Sequence, residues 1–548
     1  MGASKLVIVG LDGATFDLII PWIEAGKLKT FERFVKGGAW GELKSTLPPL
    51  TCPAWPSFMT GKNPGKFGIN DFVIREKNGE RVVNFSDILG EPFWDTAGRE
   101  GRRSIIVNVP VTYPPQIING ILLSGMMTPP GKRFWSSDEV IEDVRRSVGN
   151  YVVDLDMLTL SSLNRGKSLG KLYAMMENRF KSVAHLKDHY PFDLMAVVFR
   201  APDIVCHRLW DRKDVILRVY EMIDGYLGRL VNDTDHFFLM SDHGFRAFSK
   251  GIRINQHLYE LGVLVRRRIE FKDGSFRGST RIEKEKFGAR ANWVQGTTGV
   301  PWKMFLKLGM TRSSVAKVLE RIGLYDGVRR YFPRVLRRAL PLSRFTVDRE
   351  SSRAYLDSRR TRGIIINRNL CDSGTYLDFR NLIRQSLLDL KDPESGARVI
   401  RNVSIREEIY QGEYAERFPD LYVEPEEDYL LRDDFGGRIV HRFPAPRPNH
   451  DSRGVFAAYG PNIFAGRHIE GLEIMDVAPT ALHLLNAAVP EDMDGRVVKE
   501  IFKSDSEAFT RDIRYASPVQ RAGAMEASLS REDESAIRAS LKALGYMD

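Results

Sequence analysis

The chain has 548 residues, of which 43% are hydrophobic and 10% aromatic, and this composition predicts a globular protein with a large core rather than a disordered one. Three cysteines (Cys52, Cys206 and Cys371) are too few and too widely spaced for a disulfide framework or a zinc ribbon, which favours a reducing, cytoplasmic compartment. We expect neither a secretory leader nor a membrane-spanning helix, because the apolar runs are too short.

Four continuous apolar runs predict strands that are covered on both faces, as in a parallel sheet flanked by helices. In chain order they lie in "KLVIVGLDG", "RRSIIVNVP", "FDLMAVVFRAPD" and "DHFFLMSDHGF". Three of them end in a loop with an aspartate, namely Asp12, Asp203 and Asp242. Ligands of open α/β sheets bind outside the carboxyl ends of the strands, so we expect these three carboxylates to meet. The predicted fold class is therefore a doubly wound α/β sheet.

The positive charge is concentrated in one segment of the chain. The net charge is +10, and residues 265–350 contain 21 Lys/Arg against 8 Asp/Glu. We predict a first part of the α/β core in residues 1–264, a basic insertion in 265–350, a second part of the core in 351–505 and a helical tail in 506–548. The insertion would be a solvated surface, a contact with anionic membranes, or a cap over the substrate. We favour the cap, and nucleic acid is not an expected partner.

The residues that suggest chemistry come in pairs of metal-ligand type. Asp203 and His207 are four apart on a predicted helical turn, and Asp242 and His243 are adjacent at a strand-to-loop corner. His450 precedes a later apolar run. Each feature alone is ordinary, but all of them follow predicted strands of one α/β pattern, and this coincidence favours a shared metal site.

The stretch "LPPLTCPAWPSFMTGKNPGKFGIN" places Thr51 between prolines, which restrict the backbone around it. Together with "VIVGLDGATFD", "DIVCH", "SDHGF" and "NHDSRGVF", in this order over residues 6 to about 460, it resembles the alkaline phosphatase superfamily. The chain is similar to the branch of type I phosphodiesterases and nucleotide pyrophosphatases.

The resemblance implies two divalent metal sites, most simply zinc, with manganese as the alternative. Thr51 would be the nucleophile and would form a phosphothreonyl intermediate. The implied ligands of one site are Asp12, Thr51, Asp242 and His243, and those of the other are Asp203, His207 and His450. Asn70 occupies the place of a substrate-binding asparagine but follows the Gly–Ile step at once, and "NHDSRG" replaces His–Gly–Tyr. These departures weaken the nucleotide-specific part of the resemblance.

The favoured function is therefore hydrolysis of phosphodiester or pyrophosphate bonds in a small-molecule or lipid-linked phosphate ester. A phosphomonoesterase or metal-dependent phosphomutase of the same superfamily is the first alternative. A membrane- or nucleic-acid-binding protein with a degenerate metal site is the second. A sulfatase is disfavoured, because its motif requires proline two residues and arginine four residues after the modified residue. Here Pro53 follows Cys52 at once, and Pro56 stands in the arginine position. The oligomeric state stays open.

Overall fold

In the computed structural model of the chain, the structure describes residues 5–76, 79–164, 166–268, 345–371, 374–519, 529–544 and 546–547. Most of the predicted basic insertion, residues 269–344, lies outside these ranges. The cap, and the contact with an anionic membrane through residues 265–350, therefore stay predictions. Within the described part of the chain, no helix combines the length and the apolar character needed to cross a bilayer.

A nine-stranded sheet forms the centre of the molecule. In spatial order, eight of its strands are Arg467–His468, Ala39–Lys44, Arg453–Tyr459, His236–Met240, Leu6–Leu11, Leu194–Phe199, Ser104–Val107 and Gly120–Leu123, and the ninth, Leu472–Glu473, also pairs with Ala39–Lys44. The four predicted strands are all present and pair in parallel with one another. Every residue of the three middle strands is buried, as continuous apolar runs require.

One strand makes the sheet mixed rather than purely parallel. Arg453–Tyr459 runs antiparallel to His236–Met240 on one side and to Ala39–Lys44 on the other. The start of this strand therefore lies at the same sheet edge as the ends of its neighbours, which brings the residues before it to that edge. The predicted α/β class, with a sheet flanked by helices, is confirmed.

The helices cover the sheet and form a large core with it. The described helices are Phe16–Glu24, Lys29–Gly37, Thr51–Thr60, Pro64–Phe67, Phe93–Arg99, Asp138–Ser147, Met157–Ser161, Gly166–His189, Ala201–Leu209, Lys213–Leu230, Ile254–Glu260, Tyr376–Leu388, Arg406–Ile409, Val477–Leu484, Glu507–Thr510 and Arg531–Leu544.

A second, smaller core lies beside the first and is formed mainly by residues 345–440. It contains a four-stranded antiparallel sheet in the order Ala354–Leu356, Gly363–Ile366, Leu421–Pro425 and Ile400–Ile405. A three-stranded sheet, Tyr429–Arg432, Gly244–Arg253 and Val440–Asp451, lies between this unit and the centre. Three two-stranded pairs complete the strands: Val73–Glu76 with Gly79–Val82, Arg266–Arg268 with Phe345–Val347, and Val489–Pro490 with Tyr515–Ala516.

The second core was not foreseen as a unit. Its strand Gly363–Ile366 is a continuous apolar run like those of the central sheet, but its partners are antiparallel strands of this smaller sheet. The predicted division at residues 264, 350 and 505 stays a prediction. The helical tail does dock, since Ile537, Leu541 and Leu544 of Arg531–Leu544 are buried in the main core.

Candidate active site

Three adjacent strands bring the aspartates together. Leu6–Leu11 lies between His236–Met240 and Leu194–Phe199 and is parallel to both. Asp12 follows the first of these strands, Asp242 follows the second, and Asp203 lies in the first turn of the helix Ala201–Leu209 after the third. All three side chains are fully buried. The expectation that these carboxylates meet at one sheet edge agrees with this placement.

Thr51 is the first residue of the helix Thr51–Thr60, and the whole helix is buried. The backbone N–H groups of a first helical turn have no intrahelical partners and favour anions, so Thr51 lies where a phosphate group would be stabilised. Its Oγ1 is 3.5 Å from His243 Nε2. The same nitrogen is 3.3 Å from Asp242 Oδ2 and 3.7 Å from Asp12 Oδ1. These four side chains therefore point to one common centre.

Asp203, His207 and His450 form a second cluster. His207 Nε2 is 3.2 Å from Asp203 Oδ1, which is 3.4 Å from His450 Nε2. The two Nε2 atoms are 2.7 Å apart. The clusters are contiguous, because the rings of His243 and His450 stack with their centroids 3.7 Å apart. His243 also lies with Asp203 and His450 in a group whose ligand atoms are all within 4.8 Å of one another. The structure thus brings all seven residues together.

Backbone carbonyls orient two of the histidines. Nδ1 of His243 is 3.1 Å from the carbonyl of Gly244, and Nδ1 of His450 is 3.0 Å from the carbonyl of Pro49. A carbonyl only accepts hydrogen bonds, so each Nδ1 carries the proton and each Nε2 presents its lone pair to the cavity. This is the tautomer that a metal-binding histidine needs. The proline-rich stretch before Thr51 therefore positions a histidine as well as Thr51.

Gly13 allows the close approach of the strand end to the helix with Asp203. Its φ is +69°, and an added Cβ would lie 3.0 Å from the Cβ of Asp203. Its backbone N–H donates to Asp242 Oδ1 at 3.2 Å. A side chain at this position would therefore separate the two carboxylates that Gly13 contacts.

The site has an excess of buried negative charge. Burial, reinforced by the nearby Asp203 carboxylate, raises the pKa of Asp242 to about 8. Burial and the Asp242 carboxylate also raise the pKa of Asp12 well above its usual range. Burial opposes ionisation of Asp203, but His207 and His450 outweigh it and hold the pKa of Asp203 well below its usual range. Carboxylates in such a cavity ionise together only when positive charge is supplied.

The donor set fits divalent metal ions. Among the described residues, Asp12 Oδ1, Asp203 Oδ1 and Asp242 Oδ2 are buried without a hydrogen-bond partner, although buried polar atoms are almost always paired. Each of them is within 3.7 Å of the Nε2 of His243 or His450, which has no proton to donate. Carboxylate and imidazole ligands suit zinc, and the absence of thiolates leaves manganese open.

Two further residues complete the site. Arg200 is buried and donates from Nε to Asp12 Oδ2 at 3.2 Å, which leaves Oδ1 for the cavity. Tyr546, after the last helix, donates its hydroxyl to Asp203 Oδ2. The sequence interpretation identified neither residue. Arg200 could have been found, because it lies in the sequence between a buried strand and Asp203. Nothing near Tyr546 in the sequence indicates that it contacts Asp203, which lies 343 positions earlier.

Asn70 lies at the margin of this arrangement. Asn70 is half-buried and contacts Tyr422 of the second core. Burial raises the pKa of Tyr422, and the hydrogen bonds of Tyr422 with Tyr410 and Asn70 oppose this rise. Its role in substrate binding stays a prediction.

Cys52, beside Thr51, is fully buried, and burial raises the pKa of its thiol well above the usual range. This agrees with a packing residue instead of a reactive one.

The family model described as type I phosphodiesterase/nucleotide pyrophosphatase matches residues 6–295, more than half of the chain. The chain belongs to this family. Membership confirms the resemblance seen in the motifs and identifies the protein as a metal-dependent hydrolase of phosphate esters. The family's substrates are nucleotides and other small phosphoesters.

A solved structure with a TM-score above 0.5 agrees in fold. A phosphonoacetate hydrolase from Sinorhizobium meliloti, solved with phosphonoformate and with phosphonoacetate, is 15% identical with a TM-score of 0.52, over 88% of this chain and 96% of its own. Human ectonucleotide pyrophosphatase/phosphodiesterase 5 is 14% identical with a TM-score of 0.48, over 91% of this chain and all of its own. An inactive murine form of that enzyme, solved with AMP, is 13% identical with a TM-score of 0.47 over the same shares. No curated protein matches the sequence.

Proposed function

We propose that the protein hydrolyses phosphodiester or pyrophosphate bonds with two divalent metal ions and that Thr51 is its nucleophile. The observation that carries this proposal is the convergence of Thr51 Oγ1 and six Asp/His side chains on one buried cavity, with Thr51 Oγ1 3.5 Å from His243 Nε2. These residues come from separate strand ends and helix starts, and packing alone gives no reason to bury three carboxylates together.

The residues divide into two ligand groups. Asp12, Thr51, Asp242 and His243 would hold one ion, and Asp203, His207 and His450 would hold the other. When bound, the ions supply positive charge that lowers the pKa of the Thr51 hydroxyl and stabilises negative charge on the substrate. Zinc is the proposed metal, because four-coordinate sites of this donor chemistry are typical of it.

Thr51 attacks phosphorus in this proposal. The Oγ1–P bond forms while the bond from phosphorus to the leaving oxygen breaks, and the Oγ1 proton is lost to solvent. Water then attacks the phosphothreonine, which restores the hydroxyl and releases the phosphoryl product. The N-terminus of the helix Thr51–Thr60 stabilises the phosphoryl oxygens through its N–H groups. Arg200 opposes the rise in the pKa of Asp12 and fixes its outer oxygen.

Assays on matched substrates test the reaction class. The enzyme, stripped with a chelator and then supplied with zinc or manganese, should hydrolyse bis-p-nitrophenyl phosphate faster than p-nitrophenyl phosphate, and the chelated protein should be inactive. A much higher rate on the monoester would replace this proposal with a phosphomonoesterase. Protein that never binds close to two equivalents of metal by elemental analysis would favour the binding-protein alternative.

Thr51→Ala tests the nucleophile. We expect a loss of at least about 10³-fold in kcat with most of the metal retained, since removing a nucleophile abolishes the covalent route. Cys52→Ala is the matched control, because it changes the neighbouring buried side chain and should leave kcat almost unchanged. Wild-type turnover by the Thr51→Ala protein would refute the assignment.

A lipid-linked substrate and a cytoplasmic location are proposed only from the sequence. The three cysteines are free thiols, two of them buried, which is compatible with a reducing compartment.

A further inference from the structure

The second core places three arginines over the metal cavity. The strands Ala354–Leu356 and Gly363–Ile366 are paired in an antiparallel hairpin, and the turn between them carries Arg359, Arg360 and Arg362. We call these three residues the arginine turn. All three are half-buried, so their guanidinium groups are neither free in solvent nor part of a hydrophobic core.

Contacts with both cores hold the arginine turn in place. Arg362 Nη2 donates to the backbone carbonyl of His450 at 3.3 Å. Arg360 Nη2 donates to Asp71 Oδ2 of the main core at 3.4 Å. The backbone N–H of Arg359 donates to Asp433 Oδ2 at 3.3 Å. The turn is therefore attached to the metal-ligand segment itself and to both flanking units.

The arginine turn and the metal site share one pocket. The lining residues are Pro49, Leu50, His207, Arg359, Arg360, Arg362, Asn449, His450 and Tyr546. The pocket thus opens on the cluster that contains His207 and His450. A substrate with its phosphorus at the metal site would extend part of its structure into this pocket.

The pocket is rich in positive charge, and only part of that charge is compensated: Arg360 forms an ion pair with Asp71 at 3.4 Å. No carboxylate is among its lining residues. Within the described residues, Arg362 forms no ion pair within 4.0 Å, and burial lowers its pKa. Partly buried cations without close anions are costly, and a guanidinium group binds carboxylate or phosphate through two parallel hydrogen bonds. An oxyanion in the pocket would remove that cost.

We propose that the arginine turn is a binding subsite for a second oxyanion of the substrate, a carboxylate or a phosphate separate from the scissile phosphoryl group. This inference rests on the proposed function, since it takes the metal site as the place of the scissile group. It restricts the substrate class: the natural substrate carries at least one further negative group within reach of the pocket.

Three nonhydrolysable probes isolate the second oxyanion. Phenylphosphonate supplies only the group for the metal site, whereas 4-carboxyphenylphosphonate and 1,4-phenylenediphosphonate add a carboxylate and a phosphonate across the same ring. Titration calorimetry on zinc-loaded Thr51→Ala protein gives their affinities without turnover. We expect the two doubly anionic probes to bind at least about tenfold more tightly than phenylphosphonate. A gain with the diphosphonate alone assigns the subsite to phosphate, and a gain with both assigns it to oxyanions in general.

Variants then test the arginines. Arg360→Gln combined with Arg362→Gln should remove most of the gain and leave phenylphosphonate binding almost unchanged, and Arg360→Lys alone should keep most of it. Arg442→Gln is the matched control, because Arg442 is an exposed arginine that pairs with Glu394 at 2.9 Å and does not line this pocket. Thermal unfolding of each variant identifies any loss of folding.

The outcomes separate the two proposals. Equal affinities for all three probes, with phenylphosphonate still bound, would overturn the arginine subsite and leave the proposed function intact. An equal loss of the gain in Arg442→Gln would also overturn it, since general surface charge would then explain the preference. If zinc-loaded protein bound none of the probes, both proposals would fall.

Discussion

Tyr546→Phe removes one hydroxyl from the site and little else. The hydroxyl donates to Asp203 Oδ2, whose partner oxygen Oδ1 faces His207 and His450. The ring of Tyr546 stacks on Phe72 at 4.9 Å and meets the His207 ring at 5.2 Å, and phenylalanine would keep both contacts. The substitution therefore tests the hydrogen bond separately from the packing of the tail.

The magnitude follows from the type of bond. A hydrogen bond to a charged group contributes about 1.5–3 kcal/mol, and 1.4 kcal/mol corresponds to a factor of ten in an equilibrium constant. Loss of the bond leaves Asp203 less well oriented as a ligand, and substitutions of such supporting partners typically cost about 10–100-fold in metal affinity. We expect the second equivalent of zinc to bind about 10–100 times more weakly to Tyr546→Phe than to the wild type.

Competition with a chromophoric chelator measures the two zinc affinities, and the zinc dependence of bis-p-nitrophenyl phosphate hydrolysis gives a second readout. Tyr190→Phe is the control: its hydroxyl also donates to a carboxylate, Asp143 Oδ2 at 2.9 Å, but outside the site. Excess zinc should restore most of the turnover of Tyr546→Phe. Unchanged zinc affinity in Tyr546→Phe, or an equal loss in Tyr190→Phe, would refute the reasoning.

Two further predictions concern the metal-free state and the packing of the site. Burial raises the pKa of Asp242 to about 8, so the folded state binds a proton there more tightly than the unfolded state does. The stability that this proton gives the folded state is lost as the pH rises from 4 through about 8. The melting temperature of chelated protein should therefore fall over that range. Zinc requires the ionised form, so the shift that saturating zinc produces should grow over the same range, and a pH-independent shift would contradict this. Gly13→Ala should cost more than about 1 kcal/mol of stability and weaken zinc binding, because φ is +69° and its Cβ would meet a site side chain at 3.0 Å. Gly131→Ala, at φ +75° with nothing within 4 Å, is the control for the backbone cost alone, and an equal effect of both substitutions would reject the crowding argument.

The strands that carry the aspartates could be predicted because their signal is local. An unbroken apolar run followed by aspartate indicates a buried strand and a residue at its carboxyl end, and the sheet order then places Asp12 between Asp203 and Asp242. His207 followed from the helical spacing to Asp203. For these positions, the residues adjacent in sequence already determine where the side chain lies relative to its strand or helix.

The remaining features depend on contacts between distant segments. Gly363–Ile366 has the composition of a buried strand, but its partners Ala354–Leu356 and Leu421–Pro425 are not specified by that composition, so the second core was merged with the first. Tyr546 was read as part of an amphipathic tail, because helical periodicity reports which face is buried and not what that face touches. The position of the arginine turn likewise could not be predicted, because it depends on the packing of the hairpin against His450.

The contact between Tyr546 and Asp203 has a consequence for biosynthesis. A chain emerging from the ribosome exposes Asp12 and Thr51 first, and the sheet can assemble around them while synthesis continues. The tyrosine that anchors Asp203 is translated 343 residues after it. Nascent chains would therefore hold a carboxylate-rich cavity with one ligand unsupported, and metal loading would become tight only after the tail has docked. A chain that ends just before residue 546 should therefore bind its second metal ion more weakly than the full chain.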